Sequence, residues 1–258
     1  MLPLSAFSLI LLLAAAACTR EAAPPPMTAA PPAPDIHSFA QPADARVTHV
    51  AIDLSADFTR RVLSGQATLT FVRRDDVREL VLDTRDLTIH RVLDERGQPL
   101  TFTLRPAVEH LGQALVITLP ASGDSVQVQY ETRPDAAALQ WLTPAQTAGR
   151  KHPYLYSQGQ AILTRTWLPT QDSPGIRQTF EASLTVPQPL RAVMSAEMTT
   201  PDGDDAGDGR RTFRFRMDQP VPPYLIALAA GDIAFRSIGP RTGVYTEPSM
   251  LTRAADEL

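Results

Sequence analysis

The sequence predicts an all-β domain, built as an antiparallel β-sandwich or one large saddle-like sheet, and three observations carry that prediction. From Val47 onward the dominant pattern is period two: Val50, Ile52, Leu54, Ala56 and Phe58 alternate with His49, Ala51, Asp53, Ser55 and Asp57. Alternation of this kind gives a strand with one buried face. Pro, Gly and Asp recur at short intervals and cut the chain into brief segments. Helical spacing is nearly absent. Many short strands with regular turn signals exclude helix bundles and parallel α/β folds.

In chain order, the alternating run 47–58 is followed by Ser64-Gly65, read as a turn, and by Ala67, Leu69 and Phe71 at the same period, which makes a hairpin. Strands are expected at Glu79–Leu82, Leu87–Val92, Leu100–Leu104, Ala114–Leu119 and Ser125–Glu131. The second half adds Ile176–Val186, Arg191–Ala196, Arg211–Met217 and Tyr224–Ala230. The run YLIALAAG is apolar on both faces, as a central strand requires. Only Asp135–Leu142 and the extreme C-terminus read as helical. The acidic stretch 202–209 fails as a calcium loop, because Ala206 and Phe213 stand at its fifth and twelfth positions. It reads as a solvated hairpin tip.

The N-terminus carries a different signal. Leu9–Ala17 is a short apolar run ending in small residues. A spanning helix needs about 20 apolar residues, so this run reads as a signal peptide over residues 1–17. Cys18, the sole cysteine, follows directly and cannot form an internal disulfide. Ala15-Ala16-Ala17-Cys18 resembles a bacterial lipobox, with Ala15 where the pattern has Leu. That makes Cys18 the expected lipidation site, since two or more acyl chains anchor a protein stably. Residues 20–34, REAAPPPMTAAPPAP, are too poor in large apolar residues to fold and read as a semi-extended tether. The lipid-anchored linker is placed at 18–42. Thr19, where Asp would mark inner-membrane retention, points to the outer membrane. The expected location is therefore the periplasm or outer membrane, with the membrane as a partner through the lipid anchor.

A net charge of −4 gives no electrostatic reason to bind nucleic acid. No H-E-x-x-H, G-x-S-x-G, P-loop or G-x-G-x-x-G is present, and His37, His49, His90, His110 and His152 form no zinc-spaced pair. The chain thus supplies no complete catalytic centre and no metal ligand set. Its most distinctive segment is PYLYSQGQAILTRTWLPTQDSP, residues 153–174. Gln158 and Gln160 lie two apart on what reads as an extended stretch, which would point both to one face. Buried amides usually satisfy neighbouring backbone groups, so a core role and a binding role are both open from the residues alone.

Four segments carry a family resemblance: residues 46–71, YSQGQAILTRTWLPTQDSP at 156–174, VMSAEMT at 193–199, and MDQPVPPYLIALAAGDIAFRSIGPRTGVYTEP at 217–248. From about Pro34 to Leu258 the chain resembles the N-terminal domain of zinc aminopeptidases related to aminopeptidase N, most closely the leukotriene hydrolase branch. The resemblance implies a saddle-like β-domain over 43–240 and the start of a truncated catalytic domain at 241–258. It implies that the full-length enzyme takes Zn2+ and removes N-terminal residues from peptides, while this chain alone is inactive. It also maps the family's Gln-x-Gln-Ala turn onto Gln158, Gly159, Gln160 and Ala161. Gln160 would then accept a hydrogen bond from the free α-amine of the peptide. Gln158 and the backbone at Gly159 would line the first specificity pocket. The other reading, from the leader and tether, is a complete lipid-anchored β-domain acting as a non-catalytic binding module.

Overall fold

The computed structural model describes residues 35–258, so Cys18 and the expected leader and tether up to residue 34 lie outside the described residues. The strands are β1 (Ala45–Asp57), β2 (Val62–Arg73), β3 (Glu79–Thr84), β4 (Thr88–Asp94), β5 (Phe102–Leu104), β6 (Gln113–Thr118), β7 (Ser125–Glu131), β8 (Leu139–Leu142) and β9 (Tyr154–Ser157). They continue as β10 (Gln178–Pro187), β11 (Arg191–Met194), β12 (Glu197–Met198), β13 (Asp204–Gly207), β14 (Arg210–Val221), β15 (Leu228–Gly231), β16 (Ala234–Ser237) and β17 (Gly243–Thr246). Among the described residues there is one α-helix, α1 (Leu251–Glu257), after β17.

An eight-stranded sheet dominates, in the order β12-β14-β10-β1-β2-β7-β4, with β13 paired to β14. It is mixed: β1 and β10 run parallel, in register from His49 with Thr179 to Ser55 with Thr185, while its other pairs are antiparallel. The remaining sheets are β11-β15-β9-β8, β3-β6-β5 and the hairpin β16-β17. The period-two face is the buried face. Val50, Ile52, Leu54 and Ala56 of β1 meet Ala67, Leu69 and Phe71 of β2, Phe180 and Leu184 of β10, and Phe213 and Phe215 of β14 in one core. A register shift between Val47 and His49 lets both Val47 and Val50 point inward. Leu80, Leu82, Leu115 and Ile117 close that core from the three-stranded sheet, and Leu139, Leu155, Ala192, Leu228 and Ala230 from the four-stranded sheet. The opposite side of β3-β6 carries Val81, Ala114 and Val116, and Phe39 covers them.

Several expectations are corrected. The β1–β2 turn is not at Ser64-Gly65 but at Phe58–Arg61, where Arg61 takes φ 56°. Gly65 lies within β2 at φ 150°, and a Cβ there would strike the Asp53 carbonyl. The glycine serves a close approach of two strands rather than a turn. Asp135–Leu142 is not helical: a turn leads into β8, whose Leu139–Leu142 pair with β9. Tertiary pairing with β9 overrides the high helix propensity of its alanines. YLIALAAG gives a shorter strand than expected, because Pro223–Leu225 form a 3₁₀ turn. Its second half, β15, is central, between β11 and β9. The acidic stretch forms the exposed hairpin β13–β14, as expected.

Candidate functional site

The chain leaves β9 at Ser157 and turns sharply. Gln158 N–H donates to the Ala138 carbonyl (2.8 Å), and the Gly159 carbonyl accepts from Leu163 N–H (2.8 Å). Gln160 N–H donates to Gln158 Oε1 (3.1 Å). The Gln160–Ala161 peptide is cis. Gly159 is buried, while Gln158 and Gln160 are both exposed. A Cβ on Gly159 would stand 2.7 Å from Thr164 Oγ1 and 3.0 Å from Tyr224 Cα and its carbonyl oxygen, so only glycine fits this seat. The extended geometry expected for the two glutamines is therefore replaced by a turn, held by the Gly159–Leu163 bond and wedged on the 223–225 turn. Among the described residues, the Gln160 side chain forms no hydrogen bond, and Gln158 uses only its oxygen.

The ten residues from Thr164 to Ser173 are all buried. Their centre is Arg165, whose side chain is 0% exposed. Its Nε donates to Asp172 Oδ2 (3.1 Å), its Nη1 to the Leu111 carbonyl (2.8 Å), and its Nη2 to the His37 and Asp172 carbonyls (2.8 and 2.9 Å). Asp83, also 0% exposed, stands 3.7 Å from Arg165 Nη1. The Asp83 carboxylate accepts from Ser38 Oγ (2.6 Å), Phe39 N–H (2.7 Å) and Asp172 N–H (2.8 Å). Burial pushes the Asp172 carboxyl up to about 6, against the pull of Arg165 beside it. Gln171 bridges β1 and β3: its Oε1 accepts from Val47 N–H and its Nε2 donates to the Ala45 carbonyl (2.8 Å each), with a longer reach to the Val81 carbonyl (3.4 Å). Gln178 pairs with Thr170 Oγ1.

The structure thus separates two sets of amides that look alike in the sequence. Gln158 and Gln160 face outward, and Gln171 and Gln178 are core amides that satisfy backbone and hydroxyl groups. Sequence reasoning missed the Arg165–Asp172–Asp83 cluster. The one signal for it is an Arg and an Asp set among Thr, Trp, Leu and Pro in a segment without amphipathic period. Among the described residues no group of three or more His, Cys, Asp or Glu converges as a metal ligand set. Among the described residues no helix is long and apolar enough to cross a membrane.

A mixed eight-stranded sheet with three smaller sheets, and an outward glutamine turn after β9, define an all-β domain. Residues 46–225 match the Peptidase M1 N-terminal domain family, and the chain belongs to that family. It is 40% identical over 224 residues to leukotriene A-4 hydrolase of Xenopus laevis, a match covering 84% of this chain and 36% of the relative. It is 38% identical over 213 residues to leucine aminopeptidase 2 of Yarrowia lipolytica, covering 81% and 32%. The chain therefore spans about a third of the length of these curated relatives. Among solved structures, yeast LTA4 hydrolase in complex with bestatin superposes with a TM-score of 0.80 at 34% identity, over 89% of this chain and 35% of that one. The M1 zinc metallopeptidase of Deinococcus radiodurans shares the fold, with a TM-score of 0.63 at 24% identity over 81% and 48%.

Proposed function

We propose that this chain provides the substrate-facing N-terminal domain of a zinc-dependent aminopeptidase that removes N-terminal residues from peptides. Gln160 accepts a hydrogen bond from the free α-ammonium of the substrate, and Gln158 with the Gly159 backbone lines the pocket for the first residue. The observation that carries this reading is the outward Gln158–Gln160 turn on its rigid seat, with the Gln160 amide not spent on the core. An amide oxygen accepts from an ammonium without burying a second charge, so it selects free N-termini at modest desolvation cost. Zinc in the full-length enzyme would polarise the scissile carbonyl and activate water; its ligands and the general base belong to a catalytic domain, not to the residues described here. In the full gene product, Gln160→Ala should raise KM for aminoacyl-anilides about ten-fold, the loss of one charge-assisted hydrogen bond. An unchanged KM would defeat the assignment.

The same protein is proposed to be exported and anchored through Cys18. Leu9–Ala17, the Ala15-Ala16-Ala17-Cys18 motif and the Pro-rich tether support this. Cys18→Ala should move the protein from the membrane fraction to the soluble periplasmic fraction. Identical fractionation of both forms would refute the anchor.

A further inference from the structure

We propose that residues 35–40 form a strap that positions the Gln158–Gln160 turn, acting through the consecutive residues Thr164 and Arg165. The strap is stitched to the buried cluster at four polar points. Ser173 Oγ donates to Asp35 Oδ2 (2.5 Å), Arg165 Nη2 to the His37 carbonyl (2.8 Å), and Ser38 Oγ and Phe39 N–H to the two oxygens of Asp83 (2.6 and 2.7 Å). The Phe39 ring adds an apolar seat on Val81, Ala114 and Val116. None of these strap residues belongs to β1, and among the described residues none hydrogen-bonds to the glutamine turn.

Their connection to that turn runs through a segment with no slack. Arg165 is held from the strap side by the His37 carbonyl, and from the core side by Asp172 through both its N–H and its Nε (3.1 Å each). Its own carbonyl accepts from Arg85 N–H (2.9 Å). Thr164, one residue earlier, is buried, and its hydroxyl has no hydrogen-bond partner among the described residues. That hydroxyl fills the space a side chain on Gly159 would need. An unpartnered buried hydroxyl costs roughly 1–3 kcal/mol, so Thr164 is not there for stability; it acts as a spacer that sets the height of Gly159. Leu163 N–H closes the loop onto the Gly159 carbonyl. Releasing the strap removes one acceptor from Arg165 and two donors from Asp83, in a cluster whose charges are stable only while fully partnered. Arg165 then shifts, and Thr164 and Gly159 shift with it.

The strap and Arg165 are positioning elements, not ligand contacts. Their meaning for substrate rests on the amine-binding reading of Gln160; the mechanical coupling does not. The test is amide hydrogen exchange on the 258-residue chain, comparing wild type with an Asp35→Ala, Ser38→Ala, Phe39→Ala variant. The amide of residue 39 should lose protection, and the amides of Gln160 and Leu163 should exchange at least about ten-fold faster, while β1–β2 amides such as Ile52 and Leu69 keep their rates. Three results would overturn the proposal: unchanged Gln160 and Leu163 rates with the strap released, an equal rise in β1–β2, or persistent protection at residue 39. If exchange responds as expected while KM for aminoacyl-anilides in the full gene product does not, the coupling stands and the amine-binding reading falls.

Discussion

Gln158–Gln160 and the ten residues from Thr164 to Ser173 stand side by side in the chain and are equally polar, yet they sit in opposite environments. The first projects two amides outward from a turn held by backbone bonds. The second buries an arginine, an aspartate, a glutamine, a serine and three threonines, and much of their polarity is spent on other elements of the fold. The difference teaches that polarity in this fold has two uses. Where partners come from within the chain, a polar side chain fixes architecture. Where they do not and the side chain is exposed, as at Gln160, its hydrogen-bonding groups face solvent. The seat of Gly159 on Thr164 joins the two regions: the exposed glutamines rest on a buried residue of the polar segment.

The sharpest way to break this contrast is to remove the central charge. Arg165→Met keeps the stem but leaves the Asp172 and Asp83 carboxylates buried without their cation, and deprives three carbonyls of donors. Breaking a buried pair from one side costs about 3–5 kcal/mol. Urea unfolding of this variant should show a loss of that size, whereas Gln160→Ala on the exposed turn should stay within about 0.5 kcal/mol of wild type. A loss below about 1 kcal/mol for Arg165→Met would mean that the cluster does not carry the region.

How much of this was legible in the sequence follows from the range of the forces involved. Strands with one wet face, such as β1, β7 and β10, announce themselves because burial repeats every second residue. The β1–β10 parallel pairing does not, since its partners are about 130 residues apart and alternation carries no strand direction. Gly65 misleads because close strand approach and turn formation both select glycine. The glutamine turn was found through family resemblance; period two alone gave it the wrong, extended geometry. The Arg165 cluster was invisible because its partners, at 37, 83, 111 and 172, come from separate stretches of chain. Only Asp172 lies near enough to have been suspected, and nothing local distinguishes a buried Asp from a solvated one.

The buried half of the contrast also predicts a pH signature that the exposed half lacks. Asp172 is 1% exposed, and its carboxyl is raised to about 6 because burial outweighs the attraction of Arg165. In the unfolded chain the same group titrates near 3.9. The native state therefore holds this proton more tightly than the unfolded state. Its stabilising contribution is fully present below about pH 4 and is lost as pH rises through about 6. A shift of this size corresponds to roughly 2–3 kcal/mol. The fold's other carboxylates superimpose their own slopes, so the informative quantity is the difference between wild type and Asp172→Asn, which keeps the shape and cannot titrate. Relative to that variant, wild-type unfolding free energy should fall between pH 4 and 6 and level off above pH 7. If the difference is flat across that range, Arg165 holds Asp172 ionised throughout. The cluster is then a permanent ion pair rather than a proton-sensitive one, and the strap it anchors should grip equally well at pH 5 and pH 7.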